Sequence, residues 1–373
     1  MNITVERARS VLFLTSSLGR GGSERVTVNL ANHLHERNWE VTLLPFIPDV
    51  DEYSVATGVD VDRGMPQSGS GISRKLRTQR YLMARIRRTS PDVVVSLGIG
   101  NDLLAVSRLF QRYPLVTSLR NDPTFLDQVP LVRRSLNRLS YGLSTYVVFQ
   151  SEGARSYFGR RVRARGRIID NPLVDGLAHN GSPFEQREHE VVTFSRLLPQ
   201  KRLDLLIRAF AMFREHFPSY RLSIFGRGPE RETLLRLIAE LGLTDAITIE
   251  DFRVDIHDRI RNAALYVSSS DYEGVSNSML EAMAIGLPAV CTDAAPGGTR
   301  EIIERFGTGV LTPAGDAEQL SRAMIEVVGD SQRADMLIER GASLREALAN
   351  DVVCNTWEQL LAKIADSRIT GVK

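Results

Sequence analysis

Residues 190–226 read EVVTFSRLLPQKRLDLLIRAFAMFREHFPSYRLSIFG, and this stretch determines the predicted fold. The apolar run 190–195 is typical of a buried strand, 201–215 has the apolar spacing of a helix, and 220–226 is a second apolar run. A strand, a helix and a strand in this order predict a βαβ unit with parallel strands. The same alternation continues through most of the chain. We therefore expect an α/β protein made of two Rossmann-like, doubly wound parallel-sheet domains.

The length of the chain and one polar segment suggest where the domains divide. The protein has 373 residues, enough for two domains that each bury a core. Residues 177–189 lack periodicity and are typical of a linker. We predict an N-terminal domain over 1–180, a C-terminal domain over 181–350, and a last helix over 351–373 that packs back on the first domain. Ligands of doubly wound sheets bind beyond the carboxyl ends of the strands, so the site is expected in a cleft where the domains face each other.

The composition favours a cytoplasmic protein. With 43% hydrophobic and 25% charged residues, the chain is neither disordered, collagen-like nor a disulfide scaffold. Its two cysteines, Cys291 and Cys354, are predicted to be reduced thiols, with Cys291 buried in the apolar run LPAVC. No apolar run reaches the roughly 18–20 residues of a transmembrane helix. We interpret the apolar stretch near the N-terminus as a first strand, because no cleavage site of a signal peptide follows it.

Charge is divided unevenly between the two halves, with +9 over residues 1–175 and −7 over the remainder. Residues 72–90 hold seven basic and no acidic side chains, and they predict a basic amphipathic helix. Its apolar stripe would consist of Leu76, Leu82, Met83 and Ile86. Residues 133–138 and 160–167 are also basic. We expect this basic N-terminal domain to dock on an anionic membrane surface, at about 1 kcal/mol per basic residue, with a solvated face as the alternative. A nucleic-acid partner is not expected, because the sequence has no binding motif or aromatic stacking pattern.

Two glycine-containing loops follow predicted strands. In GRGGSE (19–24), the amides of Gly21 and Gly22 are candidates to bind phosphate at the start of a helix. A tight turn with Ser23 as the helix cap would explain this loop equally well. In FGRGPERE (225–232), Gly226 follows another strand, where the loop could pass close to a nucleotide base or equally well be a plain turn. The third glycine of a nicotinamide fingerprint is missing there, which argues against a dehydrogenase.

A basic loop, SRLLPQKRLD (195–204), also lies between a predicted strand and a helix. Arg196 and Lys201 stand five positions apart across a turn that contains Pro199. A planar guanidinium and a compact ammonium near the start of a helix are the combination that a diphosphate requires. A solvated basic loop is the alternative interpretation.

The most specific segment is SSSDYEGVSNSMLEAMAIGLP (268–288). Glu273 lies in a loop after a strand, and Asn277 is placed to cap a helix that carries Glu281. The amides expected to point at a ligand, with the positive end of the helix dipole, belong to Val275, Ser276 and Asn277. The Glu273 carboxylate suits sugar hydroxyls, and that of Glu281 suits the two hydroxyls of a ribose. A glutamate near a helix start is common for structural reasons, but these do not explain the whole combination.

This segment resembles the E-x7-E motif of retaining glycosyltransferases with the two-Rossmann GT-B architecture, particularly family 4. The resemblance extends, in the same order and spacing, to GGSERV, SRLLPQKRLD, GRGPERE, EAMAIGLPAVCTD and GGTREII, and covers nearly the whole chain. It implies transfer of a sugar from a nucleotide-diphosphate donor, with UDP as the expected nucleotide, to a hydroxyl of a glycan or polyprenyl-linked acceptor. The implied setting is the synthesis of surface polysaccharide or glycolipid at the inner face of the cell membrane.

The resemblance also implies roles for individual residues. Glu273, Arg196 and Lys201 would be catalytic, with the two cations neutralising the leaving diphosphate and Glu273 binding the transferred sugar. The implied donor-binding set is Gly21, Gly22, Arg196, Lys201, Gly226, Arg253, Glu273, Gly274, Val275, Ser276, Asn277 and Glu281. No metal or other cofactor is implied, and the histidines and cysteines show no zinc-like spacing. Attack from the front face, with the leaving phosphate as base, would require no carboxylate nucleophile.

One feature departs from the family pattern. Many relatives carry a histidine in the first domain near the reacting sugar, whereas no histidine occurs here between His35 and His179. The candidates to contact sugar or acceptor instead are Asn101, Asp102, Arg120, Asn121 and Asp122. A plain strand-to-loop turn before Pro123 is the alternative for the last three. A nucleotide-sugar epimerase of the same fold is one alternative, and the missing histidine favours a second, a catalytically silent binding protein. A phosphorylase lacks support, because no lysine lies in a cofactor-anchoring motif.

Overall fold

The computed structural model describes residues 7–19, 21–48, 53–68 and 71–369. The chain divides into two compact units. The first comprises residues 1–150, 154–172 and 350–373, and the second comprises 151–153 and 173–349. Residues 177–189, the predicted linker, thus belong to the second unit. There the buried Arg187 guanidinium donates to the carbonyl oxygens of Asn180 at 2.6 Å and Gly286 at 3.1 Å.

The first unit is built on a seven-stranded parallel sheet. Its strands are β1 (Ser10–Thr15), β2 (Glu40–Pro45), β3 (Asp60–Val61), β4 (Val93–Ser96), β5 (Leu115–Ser118), β6 (Tyr146–Phe149) and β7 (Gly166–Ile168). Their order in the sheet is β3-β2-β1-β4-β5-β6-β7. The direction of winding reverses between β1 and β4, where Leu14 pairs with Ser96. Ligands of doubly wound sheets bind at such a switch point, beyond the carboxyl ends of the strands.

The helices before Pro172 are α1 (Gly22–Glu36), α2 (Gly71–Thr89), α3 (Asn101–Phe110), α4 (Phe125–Gln128), α5 (Leu131–Leu143), α6 (Glu152–Ser156) and α7 (Arg160–Ala164). Helix α1 begins at Gly22 with Gly21 as its N-cap, so the alternative in which Ser23 caps it is wrong. In α2, Leu82 and Ile86 are buried whereas Leu76 is 55% exposed, so the predicted apolar stripe is buried only in part.

The second unit has a six-stranded parallel sheet. Its strands are β8 (Glu188–Phe194), β9 (Arg221–Phe225), β10 (Ile247–Glu250), β11 (Ala263–Ser268), β12 (Ala289–Thr292) and β13 (Gly309–Thr312). Its helices are α8 (Leu203–His216), α9 (Arg231–Glu240), α10 (Ile256–Ile260), α11 (Asn277–Ala284), α12 (Gly298–Phe306), α13 (Ala317–Gly329) and α14 (Ser331–Ala347). The strand order is β10-β9-β8-β11-β12-β13, so this sheet has its switch point between β8 and β11.

Burial of the strands in the two cores explains why they can be recognised in the sequence. Every residue of β1 is buried, because a parallel sheet is covered on both faces and its strands become continuous apolar runs. The last helix, α15 (Asn350–Ile369), completes the core of the first unit. Its Trp357 is fully buried in the same cluster as Phe13 of β1 and Val95 of β4. Deleting this helix would therefore open the first core.

The two cysteines are buried thiols without a disulfide, as predicted. Burial raises the pKa of the Cys291 thiol to about 12, which keeps it protonated at neutral pH. Among the helices that the structure describes, none is both long and apolar enough to span a bilayer.

Candidate functional site

Two loops are fastened together at the switch point of the second sheet. One is a short 3₁₀ helix, Pro199–Lys201, which follows β8, and the other is the loop that follows β11. The Asp271 amide donates to the Gln200 carbonyl oxygen at 3.0 Å, and the Ser269 hydroxyl donates to the Lys201 carbonyl oxygen at 2.8 Å. These bonds fix the backbone of Lys201 beside the loop that carries Glu273.

The side chains of Lys201 and Glu273 form an ion pair between Nζ and Oε2. Only 11% of the Lys201 side chain and 19% of the Glu273 side chain are exposed. The Glu273 amide donates to the Ala295 carbonyl oxygen at 2.7 Å, which holds the loop in place. Because the pair is largely removed from water, its charges interact more strongly than an exposed pair would. The structure thus brings together two of the three predicted catalytic residues.

Two arginines between β8 and α8 differ in how their guanidinium groups are used. Arg196 follows β8 and is exposed, and its guanidinium makes no hydrogen bond or ion pair to any residue within the described ranges. Arg202 instead donates to Asp204 at 3.1 Å and to Asp271 at 3.1 Å, and these carboxylates raise its pKa. Arg202 therefore braces the loops, whereas Arg196 presents an available guanidinium.

Glu281 lies inside helix α11 and is 4% exposed. Its Oε2 atom lies 2.9 Å from Nε2 of His257, which is on helix α10. The ring of His257 also meets the Phe194 ring edge-on, with centroids 6.1 Å apart. The sequence interpretation missed His257, because no motif surrounds it and its partner is 24 positions away. The predicted ribose-binding role of Glu281 stays a prediction.

Helix α11 begins at Asn277 and has Ser276 as its N-cap. The expectation that Asn277 caps this helix is therefore wrong, since Asn277 is its first helical residue. Val275 and Ser276 are both buried just before it. The loop is packed so closely that a Cβ atom on Gly298 would overlap the Gly274 carbonyl oxygen.

A similar close approach involves Gly226, which follows β9. A Cβ atom at this position would overlap the carbonyl oxygen of Ser195, which follows β8. Backbone packing between the two loops therefore requires this glycine, and its contact with a donor stays a prediction. The Arg253 guanidinium is exposed and forms a two-pronged pair with Asp255 at 3.0 and 2.9 Å, which lowers the pKa of that carboxyl.

The predicted residues of the first unit are mostly engaged within the protein. The buried Asn101 amide donates to the Tyr141 hydroxyl at 3.1 Å and accepts from Ser96 at 3.0 Å. Asn121 accepts from the Asp122 amide at 2.9 Å, and buried Asp122 accepts from the Thr124 amide at 2.9 Å, which forms the predicted turn. Asp102 lies in the first turn of α3. Through these hydrogen bonds Asn101, Asn121 and Asp122 hold the local structure of the first unit in place.

Arg120 differs from its neighbours because it is a partly buried cation. Its guanidinium donates to the Asn171 side chain and lies over the Trp357 ring, with Cζ 5.8 Å from the ring centroid. Burial lowers its pKa to about 10. Arg120, Gln150 and Asn171 follow β5, β6 and β7, and Gln150 donates to the same Asn171 oxygen. They form a polar cluster along the carboxyl edge of the first sheet.

Two family models together cover most of the chain. Residues 20–177 match the model described as Glycosyltransferase Family 4, and residues 175–344 match Glycosyl transferases group 1. The chain is a glycosyltransferase, with a family 4 region followed by a group 1 region. The two matched regions of this glycosyltransferase correspond closely to its two parallel-sheet units.

Relatives of this glycosyltransferase differ in the share of its chain to which they align. An exopolysaccharide phosphotransferase of Streptomyces coelicolor is 34% identical over 201 residues, which is 54% of this chain and only 21% of that protein. A lipopolysaccharide core biosynthesis glycosyltransferase, LpsE of Rhizobium meliloti, is 24% identical over 92% of this chain and 96% of its own length.

Solved structures identify the fold of the glycosyltransferase. The crystal structure of Anabaena HepE in complex with UDP-glucose superimposes with a TM-score of 0.77 at 20% identity, covering 95% of this chain and 99% of that one. The predicted fold class, two Rossmann-like parallel-sheet domains of the GT-B type, is confirmed.

Proposed function

We propose that the protein is a retaining hexosyltransferase that moves a sugar from a nucleotide-diphosphate donor to a glycan or lipid-linked acceptor hydroxyl. One observation carries this proposal. The Lys201–Glu273 ion pair lies at the switch point of the second sheet, and Arg196, whose guanidinium is available, follows β8, the strand that also precedes Lys201. A cationic pair suited to a diphosphate and a carboxylate suited to hydroxyls are thus presented where such folds bind ligands.

In the proposed reaction, Lys201 and Arg196 bind the diphosphate and stabilise the charge that develops on it as the sugar leaves. Glu273, held by Lys201, accepts hydrogen bonds from hydroxyls of the transferred sugar. The acceptor attacks from the face that the diphosphate leaves, and a phosphate oxygen takes the acceptor proton. The anomeric configuration is then retained, which NMR of the anomeric proton in the product tests directly.

The expected donor nucleotide is UDP, and surface-polysaccharide synthesis is the proposed setting. Support comes from the UDP-glucose bound to HepE and from the lipopolysaccharide role in the name of the Rhizobium relative. The test is thermal stabilisation by UDP, GDP, ADP and their sugar derivatives. Binding to the native state alone adds about 2.7 kcal/mol at a hundred times the dissociation constant. A UDP-selective shift, larger with one UDP-sugar, supports the proposal; no shift with any member would refute it.

Donor binding is proposed to need no metal, because the two basic side chains supply the positive charge. Among the described residues, no group of three or more histidine, cysteine or acidic side chains is arranged to hold an ion. We expect EDTA to leave both the nucleotide-induced stabilisation and the transfer rate unchanged. Loss of either in EDTA, with recovery on adding Mg²⁺ or Mn²⁺, would overturn this part of the proposal.

The acceptor is proposed to be presented at an anionic membrane surface. Helix α3 packs against α2 and α5 in the first unit, and all three carry exposed apolar side chains. Ile72 is 78% exposed, Phe110 73% and Leu131 76%. Basic residues of α2 and α5 accompany them, which suits insertion of apolar side chains between charged headgroups.

Vesicle sedimentation tests this surface. We expect the protein to bind vesicles that contain phosphatidylglycerol and not vesicles of phosphatidylcholine alone. The double variant Arg74→Glu and Arg77→Glu should release it, whereas the same changes at exposed Arg236 and Arg322 of the second unit should not. Equal binding to both vesicle types, or no effect of the α2 changes, would contradict the membrane proposal.

Analysis of the products distinguishes the proposed transferase from two alternatives, an epimerase and a silent binding protein. An epimerase would convert the nucleotide sugar without any acceptor, so NMR of the donor alone would show a new sugar. A silent binding protein would be stabilised by the nucleotide but would neither transfer nor release the sugar. The proposed transferase converts the donor only when an acceptor is supplied, apart from slow hydrolysis.

A further inference from the structure

The carboxylate that is predicted to bind the donor ribose is almost completely removed from water. Glu281 is 4% exposed in helix α11, and its neighbours Leu280 and Ala282 belong to the apolar core of the second unit. A carboxylate in such surroundings loses the water that solvates its charge, so it is retained only where other groups bind it. One such group is His257, whose Nε2 atom lies 2.9 Å from Oε2 of Glu281.

The chemistry of this contact determines which atom donates. An ionised carboxylate only accepts hydrogen bonds, so Nε2 of His257 is the donor and Oε2 of Glu281 is the acceptor. Each carboxylate oxygen has two lone pairs, so Oε2 can accept from His257 and also from a hydroxyl of a ligand. A carboxylate held in this way is oriented before the ligand arrives, and binding then requires less loss of side-chain freedom.

Helix α10, which carries His257, is too short to hold its own position. It has five residues, and isolated helices of this length are unstable in water. The side chains of Ile256 and Ile260, its first and last residues, are buried. The Arg259 guanidinium donates from two nitrogen atoms to the Glu190 carboxylate of β8, at 2.9 and 2.7 Å. These contacts fix the helix, and with it His257, to the second sheet.

The ring of His257 is placed by an aromatic contact without being enclosed in the core. It meets the Phe194 ring edge-on at 6.1 Å, and Phe194 in turn meets the Tyr266 ring at 5.7 Å. His257 also borders a cavity of about 140 Å³ together with residues 175–178, and 22% of its side chain is exposed. Because a ring in this position fills little of the core, its hydrogen bond to Glu281 is the contact that requires a histidine.

We infer that His257 is a positioning residue, which holds the Glu281 carboxylate in the orientation that accepts the two hydroxyls of the donor ribose. This inference rests on the proposed function and adds to it a residue outside the sequence motifs and a selectivity for ribonucleotides. Loss of the His257 donor weakens the part of donor affinity that depends on the ribose. The part that depends on the diphosphate is kept, because Arg196 and Lys201 belong to the loop after β8.

Isothermal titration calorimetry on the full chain tests the inference with UDP and 2′-deoxy-UDP. In the parent protein we expect UDP to bind about tenfold more tightly, since 2′-deoxy-UDP lacks a hydroxyl that donates to a charged group. His257→Phe keeps a ring against Phe194 but removes the donor, and it should reduce this difference to about twofold by weakening UDP alone. His257→Gln, which again supplies an N–H donor, should restore most of the difference.

His189 provides a matched control in the same unit. Its exposed ring stacks on the Tyr220 ring with centroids 4.7 Å apart, near the start of β8. His189→Phe makes the same chemical change as His257→Phe and should bind both nucleotides as the parent does. If His257→Phe does not fold, His257→Ala takes its place, because the smaller side chain lets water reach the carboxylate.

Four results would overturn the inference. They are equal binding of both nucleotides by the parent, an unchanged ratio of the two affinities in His257→Phe, an equal loss of both affinities in that variant, and no recovery in His257→Gln. An equal loss would indicate a purely structural role. Glu281→Gln is measured beside them: selectivity that depends on Glu281 but not on His257 defeats this inference alone, whereas absence of UDP binding in the parent defeats the proposed function.

Discussion

Lys201 and Glu273 form an ion pair across the switch point of the second sheet, although 72 positions separate them in the chain. Within this pair each side chain neutralises the charge of the other. In the proposed function, a diphosphate bound by Lys201 competes with Glu273 for the Lys201 ammonium group. We expect donor binding to loosen this pair and to turn the carboxylate toward the hydroxyls of the sugar.

Replacing Glu273 by glutamine should separate binding from transfer. In Glu273→Gln we expect transfer to fall by at least about a hundredfold, the scale of losing one charged group that acts on the reacting sugar. UDP should bind at least as well as before, because Lys201 loses its competitor. Transfer assays and UDP-induced stabilisation measure the two effects. Near-normal turnover in Glu273→Gln would remove this carboxylate from the mechanism.

Truncating Arg196 should weaken nucleotide binding without affecting folding. The Arg196 side chain is exposed and braces nothing in the described part of the chain, so Arg196→Ala should leave the melting temperature unchanged. Loss of a charged contact to the diphosphate should lower UDP affinity about tenfold or more. Arg236→Ala, at another exposed position of the second unit, is the control. If both variants bind UDP like the parent, the assignment of Arg196 to the diphosphate is wrong.

Two glycine-to-alanine changes should shift stability in opposite directions. Gly226→Ala places a methyl group against the Ser195 carbonyl oxygen, and we expect it to destabilise the protein by about 1–3 kcal/mol. Gly142→Ala lies in helix α5, where, apart from its chain neighbours and the helix's own backbone, no described atom lies within 4 Å of the added methyl, and it should stabilise the protein by about 0.5–1 kcal/mol. Urea unfolding followed by circular dichroism measures both. An unchanged midpoint in Gly226→Ala would show that the two loops are less closely packed than described.

The cysteines should react only when the protein opens. Burial raises the pKa of Cys291 to about 12, so at pH 8 its thiol is protonated as well as inaccessible, and only the thiolate reacts with iodoacetamide. Cys354 is 1% exposed. We expect native protein to stay unlabelled and urea-unfolded protein to label at both positions, as mass spectrometry will show. Cys354→Ala isolates Cys291, and rapid labelling of its native form would contradict the burial of that thiol.

The sequence predicted the order of strands and helices because both sheets are parallel and covered on both faces. Strands such as β1 are therefore continuous apolar runs that stand out from the intervening helices. Strand β3 has only two residues, one exposed, and leaves no such signal. Helix α5 was interpreted only as a basic cluster, because its exposed Leu131 and Val132 do not follow the pattern of a buried face.

For the candidate site, the sequence indicates which residues have suitable side chains, but it does not show which of them contact one another. Lys201 and Glu273 were both chosen, but their ion pair depends on the switch point that brings two distant loops together. His257 was missed because its partner Glu281 is contributed by another helix. Ser23 and Asn277 were expected to cap helices from their side-chain chemistry. The caps are instead Gly21 and Ser276, neither of which makes a side-chain capping bond.

Helix α15 determines which of the two units can complete its core first during synthesis on the ribosome. The second unit is nearly continuous in the chain, from Leu173 to Ala349, and all of it is translated before α15. The first unit, although most of it is made earlier, waits for Trp357 to close its core. Domains usually fold in the order in which they are translated, but here we expect the first unit to complete its core last.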